Sequence, residues 1–179
     1  FYRTDRIEYL QNLIKVSRKE DFHLGLKLVR GAYHEREIER SKRLSYTCPV
    51  HLQKSATDLD FNLSLEICLR NLDRISICAG THNEKSSSLL TDLMEKYKIN
   101  KNDDRIYFSQ LYGMSDHISY NLSKHNYKVA KYVPYGPIKD VIPYLIRRMK
   151  ENTSISGQVG RELKNITKEI QRRKSNQNR

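Results

Sequence analysis

Residues that could bind a large polar ligand cluster at four places along the chain. The clusters are KLVRGAY at residues 27–33, GTHN at residues 80–83, QLYGM at residues 110–114 and YVPYGP at residues 132–137. Their Thr, His, Asn and Gln side chains donate and accept hydrogen bonds, which suits a polar heterocycle with ribityl or phosphate groups. Their glycines let a ligand approach the backbone closely. The residue types therefore indicate a site for a large polar ligand.

A second set of chemistry-bearing residues follows the fourth cluster, on a predicted helix. Tyr144, Arg147, Arg148 and Glu151 are spaced at i, i+3, i+4 and i+7, so they share one helical face. The guanidinium fork of arginine binds a carboxylate bidentately, and tyrosine rings form walls with polar tips. Paired arginines among tyrosines would fit an amino or imino acid. The same spacing also occurs in exposed Arg–Glu ladders, and the pattern alone does not choose between these two interpretations.

The elements that must position these residues alternate along the chain. Hydrophobic periodicity and helix-capping residues predict helices at about residues 5–18, 55–70, 83–97, 114–124 and 138–151. Apolar runs predict strands at residues 23–30, 74–79, 105–109 and 127–133. The second of these helices is predicted from the helical spacing of Leu59, Leu63 and Ile67. Residues 31–54, which include Pro49, are predicted to form a long loop.

Four consecutive strand–helix units predict an α/β fold with parallel strands and right-handed crossovers. Two architectures remain open at this point: a doubly wound open sheet and a (β/α)8 barrel of the TIM type. A barrel has eight units, so four units would form half of it, with two unpaired edges. In either architecture the ligand site lies at the carboxyl ends of the strands. Because each of the four clusters follows a predicted strand, all four are expected to meet at one site.

The charge of +12 is concentrated near the end of the printed sequence. Residues 145–179 contain ten Lys and Arg against three Asp and Glu, and residues 154–179 are predicted to form a basic helix and a polar tail. No RNP, zinc-finger or leucine-zipper pattern accompanies this charge, so nucleic acid is not expected as a partner. A solvated helix face, attracted to an anionic membrane surface, is the preferred interpretation.

Other patterns narrow the class of protein further. The three cysteines form no CxxC pair, and His82 has no second ligand at metal-binding spacing, so neither a disulfide framework nor a metal site is expected. No GxGxxG or GxxxxGK[ST] motif is present, which argues against Rossmann-type and P-loop phosphate binding. The sequence begins with Phe1 and shows no targeting segment, so we expect a processed chain or a piece of a longer one.

Several of these segments resemble the signature sequences of a known enzyme family. KLVRGAY, THN, QLYGM and above all KYVPYGPIKDVIPYLIRRMKEN are similar to segments of the proline dehydrogenases, which are flavoenzymes of proline catabolism. The resemblance runs from about residue 24 to residue 152 and is closest to the eukaryotic mitochondrial type, with a fungal character in QLYGMSD. It implies a (β/α)8 barrel of which residues 1–153 form the C-terminal half, strands five to eight.

The resemblance also implies a role for each site residue. The FAD-binding positions would be Lys27, Val29, Arg30, Gly31, His51, Leu52, Gln53, Thr81, His82, Asn83 and Gln110, together with Glu151. The substrate-binding positions would be Arg147 and Arg148, which pair with the carboxylate of L-proline, and Tyr33, Tyr112, Tyr132 and Tyr144, which surround its ring. The chain departs from the family pattern at Gly80, where Ala is usual, and at Tyr112, where Leu is common. Both departures affect the shape of the pocket.

The implied reaction is the FAD-dependent oxidation of L-proline to Δ1-pyrroline-5-carboxylate, with electrons passed to a membrane quinone. The implied location is the matrix side of the mitochondrial inner membrane, with peripheral membrane contact. Tyr132 would favour proline, because relatives that prefer hydroxyproline have a smaller residue there.

Two alternatives remain open from the sequence. The family also uses an Asp and a Lys from the first half of its barrel, so this chain alone would be a catalytically incomplete fragment. The other alternative is a basic binding module for nucleic acid or an anionic membrane, whose affinity would fall steeply with salt.

Overall fold

A computed structural model describes residues 1–153, 167–168 and 170–175, and for residues 149–153 it describes the backbone alone. The strands are β1 (Leu24–Leu28), β2 (Ile75–Gly80), β3 (Ile106–Leu111) and β4 (Val129–Tyr132). The helices are α1 (Arg6–Lys19), α2 (His34–Leu44), α3 (Lys54–Leu69), α4 (Glu84–Lys96), α5 (Asp116–Lys124) and α6 (Ile138–Thr153). The chain forms two compact units, Phe1–Val133 and Pro134–Arg179. Among the described helices, none combines the length and the apolar composition that a bilayer span requires.

The four strands form one parallel sheet in the order β1-β2-β3-β4. The register pairs Lys27 with Cys78, Cys78 with Tyr107, and Leu111 with Tyr132. A doubly wound sheet reverses its strand order at a switch point, and the four described strands contain no such reversal. The predicted parallel α/β fold is therefore confirmed, and this strand order fits part of a (β/α)8 barrel rather than the open-sheet alternative.

The hydrophobic core lies on one face of the sheet. Helix α3 contacts β1 and β2, α5 contacts β3 and β4, and α3 also packs against α1 and α4. The largest fully buried apolar side chains are Phe61, Phe108, Leu65, Ile75, Leu90, Met94 and Ile106. Burying each of these contributes about 1.5–3 kcal/mol relative to exposure. The opposite face of the sheet carries smaller and polar residues, and Gly25, Lys27, Ser76 and Tyr107 on it are exposed.

Helix α3 forms where it was predicted, and most of the apolar residues that predicted it lie off its buried face. The helical spacing of Leu59, Leu63 and Ile67 is confirmed, but Leu59 is 67% exposed and Leu63 is 42% exposed, so these two residues lie off the buried face. The buried face is formed by Thr57, Phe61, Ser64, Leu65, Cys68 and Leu69. Two rows of apolar residues run along this helix, and periodicity alone does not show which row faces the sheet. Burial raises the pKa of the Cys68 thiol to about 12, which makes it an unreactive core residue.

The predicted loop at residues 31–54 was wrong in its first half, because residues His34–Leu44 form helix α2. The sequence HEREIERSKRL has almost no apolar periodicity, and within the helix only Ser41 is buried. Glu, Arg and Lys are good helix formers, and acidic residues in the first turn with basic residues in the last turn complement the helix dipole. Composition and charge order therefore carried a helix signal that the apolar pattern lacked.

The second unit contains helix α6, which agrees with the prediction of a helix at 138–151 and includes Pro143. Residues 167–168 and 170–175 are also helical, and Lys168 and Ile170 are exposed there. The rest of the predicted basic helix and polar tail at 154–179 lies outside the described residues. The predicted division of the chain near residue 153 therefore stays a prediction.

Candidate active site at the carboxyl ends of the strands

The clusters that follow β2, β3 and β4 meet at one edge of the sheet. The backbone N–H of Thr81 donates to the carbonyl of Ser109 at 3.1 Å, and the N–H of Tyr112 donates to the carbonyl of Tyr132 at 2.9 Å. These bonds extend the ladder of parallel strands by one residue beyond β2 and β3. The polar side chains of three clusters are thereby held next to one another, as parallel strands require of residues at their carboxyl ends.

Lys27 lies on the open face of β1 and extends across β2 toward β4. Its ammonium Nζ lies 4.7 Å from the centre of the Tyr132 ring, within the range of a cation–π interaction. On the way it passes Gly80: a Cβ placed at Gly80 would be 3.4 Å from Cε of Lys27 and 3.0 Å from Cγ1 of Val29. The stem of Lys27 thus runs at contact distance over Gly80, and its positive charge lies beside the partly exposed ring of Tyr132.

Gly31 turns the chain at the end of β1 and receives a close contact. Its φ angle of +122° disfavours residues with a side chain, and a Cβ there would overlap the ring of Tyr2 at 1.7 Å. Tyr2 also bonds through its backbone to Arg30 at 2.7 Å and to His51 at 2.8 Å. The described structure thus places Gly31 against Tyr2, and it links the end of β1 to the segment that precedes α3.

Arg30 is bound on all three of its guanidinium nitrogens by side chains of the protein. Nε donates to Asp58, Nη1 donates to Thr81 at 2.8 Å, and Nη2 donates to Ser86 at 2.7 Å. The guanidinium carbon lies 4.3 Å from the centre of the Phe61 ring. The side chain of Arg30, a predicted cofactor contact, thus connects the ends of β1 and β2 with α3 and α4, and its backbone carbonyl accepts from the N–H of Tyr2.

Thr81, Asn83 and Gln110 form a connected polar group at the ends of β2 and β3. Asn83 caps α4 by accepting from the N–H of Ser86 at 3.1 Å, and Thr81 Oγ1 accepts from the N–H of Asn83 at 3.1 Å. Gln110 is 2% exposed, donates to the carbonyl of Thr81 at 3.3 Å and accepts from Ser119 at 2.9 Å. Such bonds satisfy buried polar groups and fix their orientation. Gln110 therefore also holds the edge of the sheet together.

His82 is partly buried beside a strained loop. Its Nδ1 shares a hydrogen bond of 2.9 Å with Ser115 Oγ. Ser115 has a φ of +52° and Gly113 a φ of +76°, so the loop between β3 and α5 needs left-handed backbone at two positions. Burial, with a smaller contribution from the charge of Lys131, lowers the pKa of His82. The imidazole is therefore neutral at physiological pH.

The segment before α3 contains the other predicted cofactor residues of the first unit. His51 donates from Nε2 to Asp60 at 2.7 Å, and its carbonyl accepts from Nε2 of His34 at 2.5 Å. Leu52 is 71% exposed, and Gln53 is the residue at the N-cap of α3. His51 is thus fixed by its neighbours, whereas Leu52 and Gln53 present exposed side chains at a helix N-terminus.

Sequence reasoning missed Lys131, which holds the loop between β3 and α5. Its Nζ donates to the carbonyl of Met114 at 2.9 Å and to the carboxylate of Asp116 at 2.7 Å. Tyr112, on the same loop, is 67% exposed. In the sequence Lys131 belongs to an unremarkable strand, and its partners lie 15 and 17 residues earlier. No local pattern connects residues at that separation.

The tyrosines predicted to surround the substrate have partly or largely exposed rings. The exposed fraction is 44% for Tyr33, 67% for Tyr112 and 43% for Tyr132. Tyr33 also lines a cleft of about 730 Å³ along α2, together with Tyr2, Arg36, Glu37, Glu39, Arg40, Arg43 and Leu44. Exposed aromatic rings at or after the ends of strands can contact a bound molecule through their faces.

In the second unit the predicted substrate-binding residues share one side of α6. The guanidinium carbon of Arg148 lies 4.1 Å from the centre of the Tyr144 ring, and that of Arg147 lies 5.8 Å from it. All three side chains are only partly exposed. Nη1 of Arg148 is buried and has no hydrogen-bond partner among the described residues. The side chain of Glu151, predicted to contact FAD, lies outside the described residues.

Comparison with known proteins identifies the family. The family model described as proline dehydrogenase matches residues 1–161. Proline dehydrogenase 1, mitochondrial, of Dictyostelium discoideum is 43% identical over 162 residues, which are 88% of this chain and 28% of that protein. The human protein of the same name is 35% identical over 175 residues, covering 96% of this chain and 29% of its own length. The hydroxyproline dehydrogenase of Xenopus laevis is 34% identical over 180 residues, 98% of this chain and 39% of that protein.

Solved structures agree with this assignment. Proline utilization A from Bdellovibrio bacteriovorus superposes with a TM-score of 0.80 at 27% identity, covering 88% of this chain and 16% of that one. The chain thus spans less than a third of the Dictyostelium and human relatives. Because the family model covers most of the sequence and the parallel sheet is of the type found in these structures, the chain belongs to the proline dehydrogenase family.

Proposed function

We propose that the protein to which this chain belongs oxidises L-proline to Δ1-pyrroline-5-carboxylate with FAD as its cofactor, as the first step of proline degradation. The observation that carries the proposal is the gathering of polar and aromatic residues where β2, β3 and β4 end, with Lys27 extended over Gly80 to Tyr132. Membership of the proline dehydrogenase family supports it.

The residues at this edge fit a flavin in their chemistry. Lys27 brings a positive charge, His82 brings a neutral imidazole, and Gly80 leaves the surface of β2 without a side chain. Lys27, Thr81, His82, Asn83 and Gln110 would hold the cofactor from the strand ends, and Val29 and Gly31 would do so from the backbone after β1. His51, Leu52, Gln53 and Glu151 complete the proposed set. When bound, FAD supplies the acceptor for the hydride that leaves the substrate.

The proposed substrate contacts come from α6 and from the tyrosines. Arg147 and Arg148 bind the carboxylate of proline, and the buried Nη1 of Arg148, which lacks a hydrogen-bond partner among the described residues, suits a carboxylate oxygen. Tyr33, Tyr112, Tyr132 and Tyr144 surround the pyrrolidine ring and exclude water from it. The protein thereby fixes both ends of the substrate: the charged end by the arginines and the reacting carbon, C5, by the ring contacts.

The proposed cellular setting follows from the relatives, several of which are named mitochondrial. We propose that this protein is mitochondrial too, on the matrix side of the inner membrane, and that a membrane quinone accepts its electrons. Lys168, in the helical part of the C-terminal segment, is exposed and adds to a region rich in positive charge. Such a segment is attracted to anionic lipid, in addition to any apolar contact.

The test of the proposed function is Arg148→Met in the full-length protein that contains this chain. We expect KM for proline to rise by at least about 30-fold, because truncating one partner of a buried charged contact costs about 2–5 kcal/mol. The flavin content should stay that of the wild type, since the variant removes a substrate contact and not a cofactor contact.

Arg18→Met is the matched control, because Arg18 binds Asp73 at 2.6 Å just before β2, at the other end of the sheet. Its KM should be unchanged. An unchanged KM in a folded, flavin-containing Arg148→Met enzyme contradicts the carboxylate role. A wild-type protein that contains no flavin and does not oxidise proline contradicts the proposed function as a whole.

A further inference from the structure

The buried polar network around Arg30 joins four separate segments of the chain. Arg30 itself follows β1, Asp58 and Phe61 belong to α3, Thr81 follows β2, and Ser86 lies in the first turn of α4. The Arg30 side chain is only 18% exposed. A single guanidinium group thus fixes the distances between the ends of two adjacent strands and the beginnings of two helices.

On the side of α3, the network contains a carboxylate and a second cation. Asp58 accepts from Arg30 and also from Lys54 at 2.6 Å. Burial raises the pKa of Asp58, but the hydrogen bonds from Lys54 and Arg30 outweigh it, so the pKa is lowered and the carboxylate is ionised. Ser86, which accepts from Arg30, donates in turn to Asn62 of α3 at 2.8 Å. The arginine therefore binds α3 directly through Asp58 and indirectly through Ser86.

The partners of Arg30 are connected to the residues proposed to hold FAD. Thr81 is one of them, and its Oγ1 also accepts from the N–H of Asn83. Ser86 donates its N–H to the Asn83 side chain, which fixes that side chain at the start of α4. Removing Arg30 would therefore take one hydrogen bond from Thr81 and one from Ser86, the two residues that bond to Asn83.

We propose that Arg30 is a positioning residue for the cofactor: through Asp58, Thr81 and Ser86 it sets the geometry of the strand ends to which FAD binds. The inference rests on the proposed function, and it assigns Asp58 and Ser86 to the same task. The planar fork of arginine is required because three donors must point in three directions at once, which a lysine ammonium on a flexible stem does not reproduce.

The experiment compares Arg30→Met and Arg30→Lys with Arg105→Met in the full-length protein. Arg105 has similar bonds at the other end of the sheet, to Asp103 and to the carbonyl of Leu72 at 3.1 Å. We measure the Kd for FAD by the change in flavin fluorescence, the visible spectrum of the bound flavin, and the thermal unfolding of the flavin-free proteins. We expect Arg30→Met to weaken FAD binding about tenfold or more and to alter the spectrum, because several bonds to a charged group are lost together.

Arg30→Lys should fall between the wild type and Arg30→Met, because it keeps a charge for Asp58 but loses the separate bonds to Thr81 and Ser86. Arg105→Met should lower the unfolding temperature without changing the Kd or the spectrum. Equal Kd values and spectra for the wild type and Arg30→Met overturn the inference, because Arg30 would then act on stability alone.

Ser86→Ala provides a milder variant that leaves Arg30 in place, so the inference can be tested even where Arg30→Met fails to fold. We expect a smaller but measurable loss of FAD affinity, about threefold, from removing one neutral hydrogen-bonding partner. No loss in this variant also overturns the inference. A wild-type protein that binds no FAD contradicts the proposed function instead, so the two failures are distinguishable.

Discussion

The two ends of the sheet use the same types of charged residue in different surroundings. At the amino ends of the strands, Arg18 binds Asp73, and Arg74 binds Asp21 through a carboxylate that is 84% exposed. At the carboxyl ends, the charged group of Arg30 is largely buried and connected to three other segments. Exposed ion pairs contribute little to stability, whereas buried networks fix geometry. Side-chain positions are therefore fixed most firmly at the carboxyl ends of the strands, where the ligand is proposed to bind.

Two glycines on the open face of the sheet, one near each end, allow the two ends to be compared by the same substitution. Gly80 lies at the carboxyl end of β2, where a Cβ would come within 3.0 Å of Val29 and 3.2 Å of the carbonyl of Leu28. Gly25 lies near the start of β1, and a Cβ there would have no neighbour within 4 Å. We expect Gly80→Val to lower the free energy of unfolding by about 1–3 kcal/mol through overpacking and to weaken FAD binding by displacing Lys27.

Gly25→Val is the matched control for that substitution. We expect it to be neutral or to stabilise the protein by up to about 1 kcal/mol, because glycine in a strand is entropically costly. Urea unfolding and flavin titration of the two variants measure both effects. Equal behaviour of the two valine variants would show that the two ends of the sheet do not differ in packing.

Lys131→Met tests whether the loop between β3 and α5 depends on the two hydrogen bonds that Lys131 donates to it. Removing Lys131 leaves the carbonyl of Met114 and the carboxylate of Asp116 without this donor. We expect a loss of about 1 kcal/mol in stability and faster hydrogen exchange in residues 112–115. KM for proline should rise severalfold, because Tyr112 is carried by the loop. Lys124→Met, at the exposed end of α5, is the control. A normal KM in Lys131→Met would mean that the loop keeps its conformation without the bonds from Lys131.

The lowered pKa of His82, at the carboxyl end of β2, predicts that the free energy of unfolding depends on pH below about 6.5. Burial and the charge of Lys131 disfavour its protonated form in the folded state. Between the folded pKa and the ordinary value of 6.5, the unfolded chain therefore binds more protons than the folded chain. Stability is fully present above pH 6.5 and falls as the pH decreases toward the folded pKa. His82→Asn should flatten this part of the profile in urea unfolding measured from pH 7.5 to 5.0; an unchanged slope would contradict it.

The smallest effect is expected from the exposed pair at the amino ends. Arg18→Met removes a bidentate ion pair with Asp73, yet both side chains are about half exposed. We expect no change in FAD affinity and a change in unfolding temperature too small to separate from experimental error, because water screens such pairs. A clear loss of flavin binding in this variant would mean that the two ends of the sheet are coupled and that the amino ends also influence the ligand site.

The alternation of strands and helices was predictable, and its reasons are local. Runs such as ISICAG and IYFSQL are apolar, and Asn83 marks the start of α4 by capping it. These signals lie within a few residues of the element that they define. The position of the clusters at the carboxyl ends was predictable for the same reason, because each cluster follows its strand directly.

What the sequence did not predict depends on contacts between distant segments. The buried face of α3 is chosen by the sheet on which it packs, and helix α2 depends on charge order rather than on an apolar stripe. The partners of Arg30 lie 28, 51 and 56 residues away from it. Periodicity and motif spacing carry no information about such pairs, so Arg30 was predicted as a direct cofactor contact and its network was not predicted at all.

The passage of Lys27 across Gly80 has a consequence for protein engineering. A methyl group at position 80 would lie in ordinary contact with the lysine stem, at 3.4 Å from Cε, whereas Val29 and the carbonyl of Leu28 would have to shift by a few tenths of an ångström. A side chain larger than alanine at position 80 would therefore displace the lysine stem, and with it the position of the positive charge, without changing the charged residue. Substitutions at this one site offer a way to tune the electrostatic potential above the sheet in small steps.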